Sequence, residues 1–258
     1  MDGIIVLKCG GSTIDMLSNR FFTNLVTLKK AGLKPIIVHG GGPAIKDMLT
    51  IQKVESEFVD GLRKTTKSVM DVVETVLTGQ VNNALSRRLN NAGIPSVGLS
   101  GSDAKLLKAK AKDFARYGYV GDIVDVNVSF LLQLIGLGIA PVIAPIAIGD
   151  AGVRYNINAD TAAGAVAKAI GAEKLIFVTD VPGVMQDDKL LNSITDSDIE
   201  RLITEGIIHG GMIPKVRAAI ASLHENLQEV MIIDGNQSGL AQNTKLVGTV
   251  IKKSVGVV

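Results

Sequence analysis

The chain has a single cysteine, Cys9, in 258 residues. No internal disulfide framework can form, and a reducing compartment, the cytoplasm, fits the chain. That thiol ends an apolar stretch with no base beside it in sequence, so it reads as a small buried filler rather than a nucleophile. Tryptophan is absent and aromatics reach only 3%, which leaves no visible stacking platform for single-stranded nucleic acid. The net charge is +2 with no long basic run. Nucleic acid is therefore not an expected partner, whereas a basic site for one small anion stays compatible. The opening MDGIIVLKCGGS has no basic region followed by a long apolar core, so no signal peptide is expected. The most apolar stretch, 128–148, contains Ser129 and Gln133 and is broken by Gly136, Gly138, Pro141 and Pro145. A membrane span needs about 20 predominantly apolar residues. A helix ending near Leu137 and a buried strand over 139–144 explain the stretch better. Neither GxxxxGK[ST] nor a strict GxGxxG occurs, which argues against a P-loop enzyme and a standard dinucleotide fold.

Glycine, in contrast, is plentiful, at 28 residues. Two runs stand out: Lys8-Cys9-Gly10-Gly11-Ser12 and His39-Gly40-Gly41-Gly42-Pro43. Each ends an apolar strand-like stretch, over 4–9 and 34–38, and each leads towards a helical pattern. Consecutive glycines let backbone N–H groups crowd round an anion, and a helix N-terminus behind the loop adds partial positive charge. Pro43 suits the first turn of such a helix. Any strand-to-helix turn uses glycine, but three in a row exceed what a turn needs.

Further along, apolar spacing predicts helices over 16–31, 43–50, 67–92, 127–136, 161–170, 197–205 and 213–225. Strands are expected over 96–99, 106–111, 119–126, 174–179, 229–233 and 246–251, with an extended segment over 57–65 turning at Asp60-Gly61. Strands alternate with helices almost throughout. An α/β architecture follows, with a mainly parallel sheet covered by helices on both faces. Ligands bind such sheets at the carboxyl ends of the strands. A division near Gly171-Ala172 is weakly marked.

Two lysines stand beside glycine loops: Lys8 before Gly10-Gly11, and Lys215 after Gly210-Gly211. Cations on both sides of a transferred phosphoryl group would stabilise its charge. Asp160 is either the N-cap of the helix that follows it or the shared anionic partner of the two lysines, and the roles are compatible. Asn156, Asn158 and Asp160 are spaced by two and point one way if that segment is extended; asparagine is equally a common turn residue. Arg63 could grip a carboxylate with its planar fork, or be a solvated surface arginine. His39, beside three glycines, reads as loop-shaping rather than acid–base.

Together the runs KCGGS (8–12), VHGGGP (38–43), FVDGLRKT (58–65), GLSGSD (98–103), YNINADTAAGAVA (155–167), LIFVTDVPGV (175–184), GGMIPKV (210–216) and IIDG (232–235) resemble the amino acid kinase family. They are most similar to its branch acting on N-acetyl-L-glutamate. The resemblance implies an open three-layer αβα sandwich, with an acceptor-binding and dimerisation lobe over 1–172 and an ATP lobe over 173–258. It implies transfer of the ATP γ-phosphoryl to the side-chain carboxylate of N-acetyl-L-glutamate, the second step of arginine biosynthesis. Carried over, Lys8 and Lys215 flank the phosphoryl, Asp160 organises them, and Gly11 and Gly41 donate N–H groups. Gly41 and Gly42 lie over the acceptor, Arg63 takes its α-carboxylate, and Asn156 and Asn158 complete that pocket. The nucleotide would be bordered by Gly10, Gly11, Ser12, Thr179, Asp180, Val181, Gly183, Val184, Gly210, Gly211 and Met212. Mg²⁺ would ride on its phosphates, with no protein metal ligands.

Two departures stand out. Met231 precedes IIDG where many relatives have histidine, and the segment after Gly235 is short. The first strand starts almost at once, at Ile4, without the extra N-terminal helix of arginine-inhibited members, so arginine insensitivity and a homodimer are expected. The alternatives are a sister kinase (carrier-linked aminoadipate kinase, glutamate 5-kinase or carbamate kinase) or a catalytically silent binding module. GLRKT (61–65) favours the first reading over its sisters, and intact Lys8, Asp160 and Lys215 weigh against silence.

Overall fold

The computed structural model describes residues 3–224, 227, 229–236 and 246–254. In chain order it runs β1 (Ile4–Cys9), α1 (Asn19–Lys30), β2 (Lys34–His39), α2 (Gly42–Ile51) and the hairpin β3 (Phe58–Val59) and β4 (Leu62–Arg63). A continuous helix follows: α3 (Lys67–Glu74), a π-helical stretch Thr75–Asn82, and α4 (Asn83–Asn91). Next come β5 (Ser96–Ser100), β6 (Leu107–Ala111), α5 (Phe114–Tyr117), β7 (Gly121–Val126), α6 (Val128–Gly136), β8 (Ala140–Ala144), β9 (Ile146–Ile148) and β10 (Arg154–Asn156). The rest is α7 (Ala159–Ile170), β11 (Lys174–Thr179), β12 (Met185–Gln186), β13 (Lys189–Leu190), β14 (Ser193–Thr195), α8 (Asp196–Thr204), α9 (Met212–Ser222), β15 (Glu229–Asp234) and β16 (Thr249–Lys252).

An eight-stranded sheet in the order β14-β16-β15-β11-β1-β2-β8-β5 forms the middle layer. The six strands from β15 to β5 are parallel, and only the β15–β16 pairing is antiparallel. The expected mainly parallel sandwich is therefore present. A smaller sheet, β10-β9-β6-β7, packs beside it.

Alternation along the central strands divides the core in two. Ile5, Leu7 and Cys9 of β1 face one cluster with Phe21, Phe22, Ile45, Val73 and Leu85 from α1, α2 and the long helix. Ile4 and Val6 face the other, with Ala162, Ala163, Val166, Val216 and Ala219 from α7 and α9. The same alternation aims Lys8 towards α7 and His39 towards the long helix.

Several expected boundaries shift for local reasons. The helix expected over 16–31 starts at Asn19, because the Ser18 hydroxyl accepts from Phe21 N–H at 3.2 Å and caps it. The helix expected over 161–170 starts at Ala159: Asn158 Oδ1 accepts from the N–H groups of Asp160 and Thr161 at 2.8 and 3.1 Å. Asn158 is thus the cap, and Asp160 lies inside the first turn. The helix expected over 213–225 runs Met212–Ser222 instead, ending where Leu223 turns extended (φ −68°, ψ 132°); residue 225 and 237–245, within the short segment after Gly235, lie outside the described residues. Strands β9, β10 and β12–β14 went unpredicted, being two or three residues long with no alternation to read.

Candidate active site

β1 lies between β2 and β11, with Cys9 level with His39 on one side and Val178 on the other. Its carboxyl end feeds Gly10–Ser12, and that of β2 feeds Gly40–Gly42. The two loops touch. A Cβ added at Gly11 would lie 2.6 Å from the backbone nitrogens of both Gly41 and Gly42, so only glycine permits this approach. Gly40 N–H also donates to Cys9 O at 2.9 Å, tying one loop to the other. Pro43 stands in the first turn of α2, as expected.

Lys8 Nζ meets Asp160 Oδ1 at 2.9 Å, both side chains largely covered. Lys215, in α9, does not share that carboxylate. Its Nζ donates to Thr179 Oγ1 at 2.9 Å and Asp180 Oδ1 at 3.0 Å. The expectation that Asp160 organises both lysines is met on the Lys8 side only; Asp180 anchors the other. Hydrogen bonds from Lys215 and Thr179 hold the Asp180 carboxyl below its ordinary 3.8. Two cations thus stand at the ends of adjacent parallel strands, each restrained by its own carboxylate.

On the β2 side lies a cavity of about 220 Å³. Lys8, Gly11, Gly41, Gly42, Arg63, Asn156, Asn158 and Asp160 all line it, so it gathers every residue expected at the acceptor. Arg63 stacks over the Phe58 ring, 4.6 Å from its centroid, and donates to Ser56 Oγ at 2.7 Å. Asn156 donates to Thr65 Oγ1 at 3.1 Å, and Thr65 in turn donates to Arg63 O at 2.8 Å. The hairpin is anchored by Asp60, which accepts from Tyr117 Oη and pairs with Arg116, both at 2.6 Å.

On the β11 side a second cavity, of about 410 Å³, is lined by Asp180, Val181, Gly183, Val184, Gly211, Met212 and Lys215, all expected at the nucleotide. Met185, Ile207 and His209 line it too. Sequence reasoning passed over these three: Met185 stands on the two-residue strand β12, and Ile207 and His209 in the connection from α8 to α9. Thr179 is buried and Ser12 exposed; with Gly10 and Gly210, they are not among the residues lining this cavity. Met231 is buried on the sheet face towards α1. A third cavity, of about 550 Å³, opens beyond Asp160 between the hairpin, α7 and α9.

Burial pushes the Cys9 thiol up to about 12, which fits the filler reading and not a nucleophile. Burial likewise lowers His39 to about 4, so the imidazole is neutral. Among the described residues no three His, Cys, Asp or Glu side chains gather as a metal site, and no helix is long and apolar enough to cross a membrane.

Paired cations at strand ends, touching glycine loops and a cavity on either side stand together on an αβα sandwich. Residues 3–234 match the Amino acid kinase family, and the chain belongs to that family. An acetylglutamate kinase from Halalkalibacterium halodurans is 54% identical over 255 residues, covering 99% of this chain and 98% of the relative. Among solved structures, that of smu.665 from Streptococcus mutans UA159 superposes with a TM-score of 0.83 at 32% identity, covering 98% of this chain and 99% of the other. Carbamate kinase from Giardia lamblia bound to AMP-PNP shares the fold, with a TM-score of 0.71 at 19% identity over 98% of this chain and 99% of that one.

Proposed function

We propose that the chain transfers the γ-phosphoryl group of ATP to the side-chain carboxylate of N-acetyl-L-glutamate, giving an acyl phosphate and ADP in arginine biosynthesis. The observation that carries this reading is the placement of Lys8, on β1, and Lys215, reaching from α9 to the end of neighbouring β11, between an acceptor-sized cavity holding Arg63 and a second cavity beside Asp180. The near identity in length and the 54% identity to an acetylglutamate kinase support the acceptor. The sister kinases and the silent module are not favoured.

The acceptor carboxylate has an ordinary pKa of about 4.3 and is ionised at neutral pH, so no general base is required. One of its oxygens forms a bond to Pγ while the bond from Pγ to the bridging oxygen breaks, and ADP leaves with that electron pair. Arg63, with Asn156 and Asn158, fixes the α-carboxylate end of the acceptor. Lys8 and the N–H groups of Gly11 and Gly41 stabilise the charge on the moving group. Lys215 exchanges Asp180 for nucleotide phosphate. Mg²⁺ would be carried by the nucleotide phosphates and neutralise part of their charge; the carboxylates of Asp160 and Asp180 leave the cleft compatible with that. In the same proposal, residues 1–172 form the acceptor lobe and 173–258 the nucleotide lobe, the enzyme works in the cytoplasm, and it is a homodimer. The open edge of β5 supports a pairing surface.

An ATP-dependent hydroxamate assay tests the reading, because hydroxylamine traps acyl phosphates. N-acetylglutamate, glutamate, aspartate and aminoadipate are compared in parallel. Signal with N-acetylglutamate alone is expected; signal with another acceptor and none with N-acetylglutamate refutes it.

A further inference from the structure

The long helix beneath the glycine loops carries an irregular spacing. Its buried positions fall in adjacent pairs: Val69–Met70, Val72–Val73, Val76–Leu77, Val81–Asn82 and Leu85–Ser86, then Leu89. The steps are three or four residues, as an α-helix requires, except from Val76–Leu77 to Val81–Asn82, where the step is five. The π-helical stretch Thr75–Asn82 absorbs the extra residue. Without it, an α-helix would turn position 82 off the core face. With it, an asparagine stands at 2% exposure among the apolar residues of that core face, beside buried His39.

Asn82 Nδ2 donates to Val142 O at 2.8 Å and meets His39 Nε2 at 3.0 Å. A carbonyl only accepts, so the Val142 contact fixes which end of the amide is nitrogen. Nε2 must then be the lone-pair nitrogen of a neutral imidazole, and Nδ1 carries the proton. Nδ1 donates that proton to Gly40 O at 2.9 Å. The carbonyl of Gly40 and the N–H of Gly41 belong to one planar peptide unit and point opposite ways. Fixing the carbonyl therefore fixes the direction of the Gly41 N–H. Space is kept for the amide: a Cβ at Gly98 would lie 1.9 Å from Asn82 Oδ1.

We propose that Asn82 is a positioning residue for phosphoryl transfer: carried onto the core face by the π turn, it holds His39 in the tautomer that aims the Gly41 N–H into the acceptor cavity. This rests on the glycine loops being the phosphoryl cradle, as in the function proposed above. His39 is flanked on β1 by the Cys9 thiol, which stays protonated below about pH 12. The facing residues of β8 and the long helix are Val142, Asn82 and Ser86, none of which titrates, and no charged group contributes to the state of His39.

The test compares wild type, Asn82→Ala and Asn82→Asp in the hydroxamate assay from pH 6 to 9, with thermal melts of each. For Asn82→Ala the expected result is a fall in kcat of about tenfold or more, less than the roughly 100-fold of losing an oxyanion donor outright. KM for ATP and acceptor should stay within threefold of wild type, roughly the split of a transition-state effect. Asn82→Asp is nearly isosteric and supplies a different readout. Its carboxylate favours the imidazolium, which still donates from Nδ1 to Gly40. As pH rises and that proton leaves, the remaining one moves to Nε2, facing the carboxylate, and Gly40 loses its donor. The kcat of this variant should therefore fall with rising pH, where the wild type is flat. Folded variants with wild-type kcat and a flat profile overturn the proposal. If Asn82→Ala does not fold, the profile of Asn82→Asp decides alone. Absence of hydroxamate from wild type itself would instead remove the proposed activity.

Discussion

Substituting Gly11 by alanine should disable the enzyme while sparing its fold. A Cβ there would stand 2.6 Å from two backbone nitrogens and 2.8 Å from Gly41 Cα. That is about 1 Å inside normal contact distance. No flexible side chain can swing away, because the obstructing atoms are the backbone of the second glycine loop. The loops must separate by roughly that distance, and a 1 Å misplacement of catalytic donors costs about 100-fold in rate. Overpacking of this kind costs about 1–3 kcal/mol, and for a chain of this size lowers Tm by roughly 2–10 °C. Steady-state hydroxamate kinetics and a thermal melt measure both quantities. Gly136→Ala, whose added Cβ meets open space at the end of α6, is the control and should match wild type. A Gly11→Ala enzyme with kcat within twofold of wild type would show that the contact between the loops is dispensable.

Arg63→Ala should raise the acceptor KM by about 10- to 100-fold, the value of a charge-assisted hydrogen bond of about 1.5–3 kcal/mol, with ATP KM unchanged; equal loss for both substrates would contradict its placement. Asp180 is held below its ordinary 3.8, so its stabilising effect is complete above that pH and is lost as pH falls through the folded-state value. Asp180→Asn should accordingly melt slightly below wild type at pH 7, by an amount limited by the exposure of the pair, with the gap closing towards pH 3. Cys9, with its thiol pushed up to about 12 and 1% exposed, should resist N-ethylmaleimide at pH 8 in the folded protein and react once denatured; prompt labelling of the native enzyme would refute its burial.

Much of the site could be read from the chain because its chemistry uses backbone geometry. Gly10-Gly11 and Gly40–Gly42 announce a close approach that no side chain permits, and Lys8 ends an apolar strand where a solvated lysine would not be expected. What escaped was tertiary. Asp180 is as visible as Asp160, but nothing in sequence says which carboxylate meets Lys215. Asn158 and Asp160 both suit a helix start, and only the backbone path selects Asn158 as the cap. Met185 reaches the nucleotide cavity from β12, and Ile207 and His209 from the α8–α9 connection. The π turn is the instructive omission. The step of five between Val76–Leu77 and Val81–Asn82 is present in the sequence, but a helix read only for its overall 3.6 period conceals a single inserted residue.

The central place of β1 has a consequence for synthesis. Residues 4–9 are the first described strand made, yet one of their two neighbours in the sheet is β11, which begins at Lys174. While the chain is being made, β1, β2, β8 and β5 can pair in order, leaving Ile4–Cys9 as a bare apolar edge. An exposed edge of that composition is a template for pairing with another chain. The nascent protein therefore carries this aggregation-prone edge through about two thirds of its translation, and the strand that covers it is the one whose end bears Thr179 and Asp180.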